Sequence, residues 1–190
     1  GVYHLNLTTI PLTNIIPEIL EDRRELERLC GYPVRGMSYA YGHYNNDVIE
    51  VLKCCGIEYA RTAKPTKGFS LPENFLKWHP SCHHNDALEV LRRFLELQRI
   101  QGKLLYVWGH SYEFNDNGNW DSIEEFCRKV SDKEDIWFAT NIEIYDYIMA
   151  QRSLKISVDN SMVYNPSHQP VWFSYNGEIV KVDGGETLYL

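Results

Sequence analysis

Short apolar runs alternate with stretches of helical periodicity from Val34 to Ile148, and this alternation predicts an α/β fold of right-handed βαβ units around a parallel sheet or barrel. A second observation is where the polar residues fall. The run Leu104-Leu105-Tyr106-Val107-Trp108 stops at Gly109-His110, and the carboxyl end of a buried strand is where parallel α/β folds place their chemistry. The third is a change to period-two alternation after about Leu154, which predicts a small antiparallel β appendage.

Taken in order, Pro11 to Cys30 reads as a helix. Ile15, Ile16, Ile19, Leu20, Leu26 and Leu29 recur at helical spacing, Thr13 or Asn14 is available as a cap, and Gly31 ends it. Val34 to Tyr41 reads as a strand running into a loop. Asn45 or Asn46 caps a second helix through Val48, Ile49, Val51 and Leu52, which Gly56 stops. Ile57 to Arg61 is the next strand, followed by a loop punctuated by Pro65, Gly68, Pro72 and Pro80. A helix from about Asn85 to Arg99 presents Leu88, Leu91, Leu95 and Ile100. The strand from Leu104 precedes a helix from Asp121 to Val130, a strand from Ile136 to Thr140 and a last long helix capped by Asn141. Four alternating runs then lie between Lys155 and Val182, separated by Asp159-Asn160, Asn165-Pro166 and Asn176-Gly177, with Gly184-Gly185 following the last of them. The expected division is residues 1–152 as the α/β body and 153–190 as the β appendage, which is too short to fold well alone.

With 190 residues and a net charge of -7, the chain is long enough for one sizeable core and carries no basic stripe for a phosphate backbone, which excludes nucleic acid as a partner. No apolar run approaches the roughly 20 residues that cross a bilayer. The five cysteines include no C-x-x-C pair and suit free thiols in a reducing compartment, so the expected location is cytoplasmic. Aromatic residues make up 13% of the chain, with 13 Tyr and 5 Trp, and flat rings with a polar edge suit sugar faces as well as plain cores.

Polar clusters sit at the ends of the predicted strands. They are His4 with Asn6; Arg35 with Tyr39, Tyr41, Gly42 and His43; the stretch Trp78-His79-Pro80-Ser81-Cys82-His83-His84-Asn85-Asp86; and His110 with Tyr112 and Glu113. An isolated histidine more often ends a strand and bonds a neighbouring loop than does chemistry. His79, Cys82, His83 and Asp86 have the residue types of a zinc site, although adjacent His83 and His84 diverge in direction and make a self-contained site there a weak expectation.

The order of these pieces resembles the polysaccharide deacetylase family, metal-dependent carbohydrate esterases that share the NodB homology domain. Gly1 to Leu7 looks like the second half of the family's H-x-x-x-H metal motif, with His4 as a ligand. Arg35-Gly36-Met37-Ser38-Tyr39-Ala40-Tyr41-Gly42 is similar to its third motif, with Ala40 where many relatives have proline. Trp108-Gly109-His110-Ser111-Tyr112-Glu113-Phe114 is similar to its late histidine motif. The resemblance spans Val2 to Ile148 and implies an incomplete, distorted (β/α) barrel of the NodB type. It implies a catalytic set of His110 as general acid, Arg35 orienting the catalytic aspartate and the Tyr41 backbone amide at the oxyanion. It also implies a substrate groove lined by Trp78, His79, His83, Trp108 and Tyr112.

The implied reaction is removal of acetyl groups from an N-acetylated polysaccharide or oligosaccharide. It needs a nucleophilic water activated by a divalent metal, with zinc the first expectation, and a proton donor for the leaving amine, a role that suits histidine. The family's paired aspartates are missing, since no Asp-Asp occurs anywhere in the sequence. The chain is therefore expected to be an amino-terminally truncated, inactive piece of a deacetylase that holds no metal alone. The alternative is a shortened relative that binds carbohydrate without catalysis or serves as an interaction module. Exposed barrel edges imply a homo-oligomer.

Overall fold

The computed structural model describes residues 1–97 and 102–190, so Arg99 and Ile100 of the predicted third helix lie outside the described residues. Contacts divide the chain into two compact units, Gly1–Trp137 and Phe138–Leu190.

The first unit opens with α1, Leu12–Cys30, which closes on Gly31 in the left-handed region at φ 76° with its N–H donating to the Glu27 carbonyl. Pro11 takes the cap position and makes no side-chain cap, so Thr13 and Asn14 lie inside the first turn rather than ahead of it. Ile15 and Ile19 are buried, whereas Ile16, Leu20, Leu26 and Leu29 remain exposed, because the apolar residues spread around more than one face.

β1, Gly36–Ser38, pairs in parallel with β2, Tyr59–Arg61, in the register Met37 to Ala60, and α2, Asn46–Cys54, crosses between them. Asn45 caps α2 by accepting the Val48 N–H at 2.8 Å. Gly36 is required by packing, since any side chain there would overlap the Tyr59 ring. β3, Cys82–His83, is followed by α3, Ala87–Leu95, and pairs in parallel with β4, Val107–Trp108. Trp78 links the two strand pairs: it bridges Arg61 in parallel, its N–H donates to the Ala60 carbonyl, and its own carbonyl accepts from Thr62. The result is a mixed helix and strand architecture in which β1, β2, the Trp78–His83 segment and β4 run in one direction. No closed barrel is present among the described residues.

One core cluster gathers Ile15, Ile19, Val48, Leu52, Ile57, Ala60 and Leu76. Beside the strands Trp78, 1% exposed, is enclosed by the rings of Tyr59, Phe75 and Tyr106 at 5.9, 5.0 and 5.0 Å. Two departures from expectation follow β4. The residues after His110 form an unpredicted helix, α4, Ser111–Asn117, ahead of α5, Trp120–Ser131. The predicted strand from Ile136 to Thr140 is open chain in which Trp137 and Phe138 stay exposed, since an apolar run becomes a strand only where a sheet edge receives it.

In the second unit α6, Asn141–Ser153, is capped by Thr140, not Asn141, through a reciprocal capping box with Glu143. β5, Lys155–Ile156, β6, Met162–Tyr164, and β9, Thr187–Tyr189, form one antiparallel sheet, and β7, Val171–Tyr175, with β8, Glu178–Val182, a hairpin. Asn176 and Gly177 both have positive φ, as a two-residue primed turn demands. α6 belongs with these strands because Ala150 shares a core with Val171 and Val182 and the Tyr147 hydroxyl accepts the Trp172 N–H at 3.2 Å. Fully buried Asn165 donates to the carbonyls of Gln169 and Val182 and accepts from Ser167. No described helix is long and apolar enough to cross a membrane.

Two tests follow. Trp78→Ala should cost about 3–5 kcal/mol, read as a lower denaturation midpoint. The Asp159 carboxylate accepts from the hydroxyls of Ser157 and Ser161 and the Ser161 N–H, which lower its pKa to about 2. Its contribution to the β5–β6 turn is thus complete above the ordinary carboxylate range and lost as pH falls through about 2. A carboxyl NMR titration should show that midpoint, and Asp159→Asn should remove the dependence.

Candidate functional site

Because β3 and β4 are parallel, their carboxyl ends lie on one rim. His83 ends β3 and is followed by His84, while Trp108 ends β4 and is followed by Gly109 and His110. α4 then turns back so that Glu113, in its first turn, faces all three histidines. Its carboxylate oxygens stand 3.1 Å from His83 Nε2, 3.3 Å from His84 Nε2 and 3.2 Å from His110 Nδ1. His84 is buried, His83 and Glu113 are partly exposed and His110 about half exposed. The rings of His83 and His84 lie 4.1 Å apart, Trp108 stands edge-on to His83 at 4.9 Å, and Tyr112 stacks on His110 at 5.1 Å.

Burial pushes the Glu113 carboxyl up, but the hydrogen bond from His110 and the charges of His83 and His110 outweigh it and leave the group below the usual carboxylate range. His84 is held below the usual histidine range by burial first and by His83 next, against the pull of Glu113. Neither ring nitrogen of His84 makes a hydrogen bond. Glu113 Oε2 makes none either, although two histidine nitrogens lie at ion-pair distance, because they approach from directions that hydrogen-bond geometry does not accept.

The other predicted residues distribute unevenly. His4 and Tyr41, both at positive φ, meet edge-to-face with ring centroids 5.1 Å apart. An open cleft of about 760 Å³ lies between Asn6, His43, Tyr44, Thr62 and His79. In it His79 Nδ1 lies 2.6 Å from the Thr62 hydroxyl, and burial followed by the Lys64 charge lowers its pKa. Tyr112 is exposed beside His110.

Two predicted residues are elsewhere. Trp78 is a core residue and presents no ring to a groove, because the chain linking β2 to β3 turns its indole inward. Arg35 sits at the opposite, amino end of β1, where its carbonyl accepts from Glu58 and Tyr59 and its Nε donates to Glu58 Oε1 at 3.0 Å. A strand separates it from Tyr41, so the two do not act together. Arg61 is a cation on the rim, at the carboxyl end of β2, with its guanidinium 4.6 Å above the Trp108 ring. Sequence reading missed Arg61, whose signal was its place at the end of a predicted strand. It grouped Glu113 with His110 without giving it a role, although the i, i+3 spacing would serve at a helix start.

A metal at His4 is not supported by its surroundings. Among the described residues, the one group of three metal-type side chains with converging ligand atoms is His83, His110 and Glu113, and His4 is in no such group.

The fold and this rim describe an α/β protein with a histidine and carboxylate centre at its strand ends. Residues 1–60 match the polysaccharide deacetylase family. Among solved structures, a polysaccharide deacetylase from Bacillus cereus is 31% identical over 40% of this chain with a TM-score of 0.34. A Bacillus anthracis protein assigned to the same class is 32% identical over 40% of the chain, also at 0.34. A 4-alpha-glucanotransferase from Thermococcus litoralis is 17% identical over 76% of the chain at a TM-score of 0.51, a likeness of fold. The chain spans 24% of the length of each Bacillus protein and 27% of the glucanotransferase. No curated protein matches the chain.

Gly109 leaves the room in which the His84 ring sits, since any side chain there would overlap it. Gly109→Ala should displace that ring, destabilise the first unit by about 1–3 kcal/mol and shift the histidine resonances of the cluster in NMR spectra.

Proposed function

We propose that this chain is the part of a carbohydrate deacetylase that carries its proton donor, acting on N-acetylated polysaccharide or oligosaccharide. The observation that carries the reading is the His110–Glu113 pair, exposed at a parallel strand rim between Trp108 and Tyr112. The family match over residues 1–60 supports it independently. A divalent metal, when bound, supplies a water nucleophilic at neutral pH.

In this reading the remaining steps belong to side chains and backbone of the rim. His110 donates a proton to the departing amine, and Glu113 is a positioning residue that holds the imidazole through its Nδ1. The Tyr41 backbone N–H, in the turn after β1, is assigned the role of stabilising the oxygen that becomes negative as the carbonyl is attacked. Trp108, Tyr112 and His79 line the sugar path, with Arg61 fixing the Trp108 ring. His83 borders the same path.

In this reading the chain alone does not turn over, since its sequence has no Asp-Asp pair to supply the base and the metal ligand. The second reading, sugar binding without hydrolysis, rests on the same absence. Among the described residues β1 pairs with β2 alone, which favours self-association, and the free cysteines suit a reducing compartment such as the cytoplasm.

Full-length protein supplied with zinc should release acetate from N-acetylglucosamine oligomers. His110→Ala should lower kcat at least about 100-fold. Glu113→Gln should lower kcat with KM little changed, and Glu113→Asp should restore part of it. Oligomer binding without acetate release would favour the binding reading, and full turnover by His110→Ala would remove His110 from the mechanism.

A further inference from the structure

We propose that His83, His110 and Glu113 form a divalent-cation site at the carboxyl ends of β3 and β4, suited to zinc. The site is distinct from any metal held through His4 and goes beyond the deacetylase reading. Two imidazole nitrogens and one carboxylate oxygen are the donors that zinc takes where a fourth position stays open to water. One ligand atom from each residue lies within 4.8 Å of the others. Glu113 reaches His83 Nε2 at 3.1 Å through Oε2 and His110 Nδ1 at 3.2 Å through Oε1, so its carboxylate lies between the two imidazoles.

An independent observation comes from the unmet bonding of the cluster. Glu113 Oε2 is buried and within reach of His83 and His84, yet makes no hydrogen bond with either. Lone pairs that converge without a shared proton in line are what a cation satisfies. Buried His84, packed on His83 at 4.1 Å and against Phe114 at 4.3 Å, stiffens the far side. The Trp108 indole walls the near side. The Asn85 N–H donates to His83 Nδ1 across a long 3.4 Å. Cation binding at Nε2 places the ring proton on Nδ1 and so replaces that contact. A seated cation also occupies the nitrogen and carboxylate that the deacetylase reading uses for proton transfer, so zinc beyond the equivalent that activates water should inhibit acetate release.

Zinc is titrated into the metal-free chain by calorimetry, and cobalt(II) by visible absorption, with no sugar present. The expected result is one ion per chain at micromolar affinity or tighter, with the intense d–d bands of tetrahedral cobalt. His83→Ala and Glu113→Gln should each weaken binding at least about tenfold, with circular dichroism unchanged, and His4→Ala should leave it intact. Absence of binding, binding unaffected in both His83→Ala and Glu113→Gln, or binding lost in His4→Ala overturns the proposal. Since no turnover enters the measurement, its failure leaves the deacetylase reading standing, and loss of acetate release leaves this one standing.

Discussion

The site depends on a two-residue parallel pairing, in which Cys82 stands opposite Val107 and His83 opposite Trp108. Side chains alternate along a strand, so a slip of one residue would turn one of His83 and Trp108 away from the face of the other and separate His83 from His110. The pairing is braced by backbone contacts just upstream, where Ser81 and Cys82 donate to the Tyr106 carbonyl, the Ser81 hydroxyl donates to Leu104 and the same oxygen accepts from Tyr106. Short strands are thus held by bonds outside the ladder.

Given that register, α4 decides the chemistry. Its first turn swings Glu113 under His110, and the carboxylate then meets three histidines that belong to two different strands and loops. A single negative group surrounded by imidazoles in a partly buried place stays ionised, and the cost of desolvating it is offset by those neighbours. The arrangement serves proton transfer and cation binding alike, which is why one cluster supports both proposals. The second unit contributes none of these groups. It is organised by its own buried amide, Asn165, and by the helix that closes over its hairpin.

Much of the secondary structure was legible in the sequence. Asn45 before Val48 and Ile49 marked a helix start, Gly31 and Gly56 marked ends, and Asn176-Gly177 marked a hairpin, since each signal acts over a few residues of backbone. The failures were those in which distant chain decides. The apolar run from Ile136 to Thr140 looked like a strand but has no ladder, and α4 was hidden because Tyr112 and Phe114 continued the apolar pattern of β4. Trp78 and Arg35 carried the residue types of a groove and a catalytic motif, yet one is walled in by Tyr59, Phe75 and Tyr106 and the other is held by Glu58 at the far end of its strand.

The sequence by itself determined that the chain alternates strands and helices, that its later part is antiparallel, and that its histidines gather at strand ends. These properties follow from periodicity, caps and turn residues, which are local. Only the tertiary structure decided that Glu113 is the common partner of His83, His84 and His110, and that Arg61 lies over the Trp108 ring. Strand register and helix direction set those distances, and both are fixed by contacts between residues far apart in the chain.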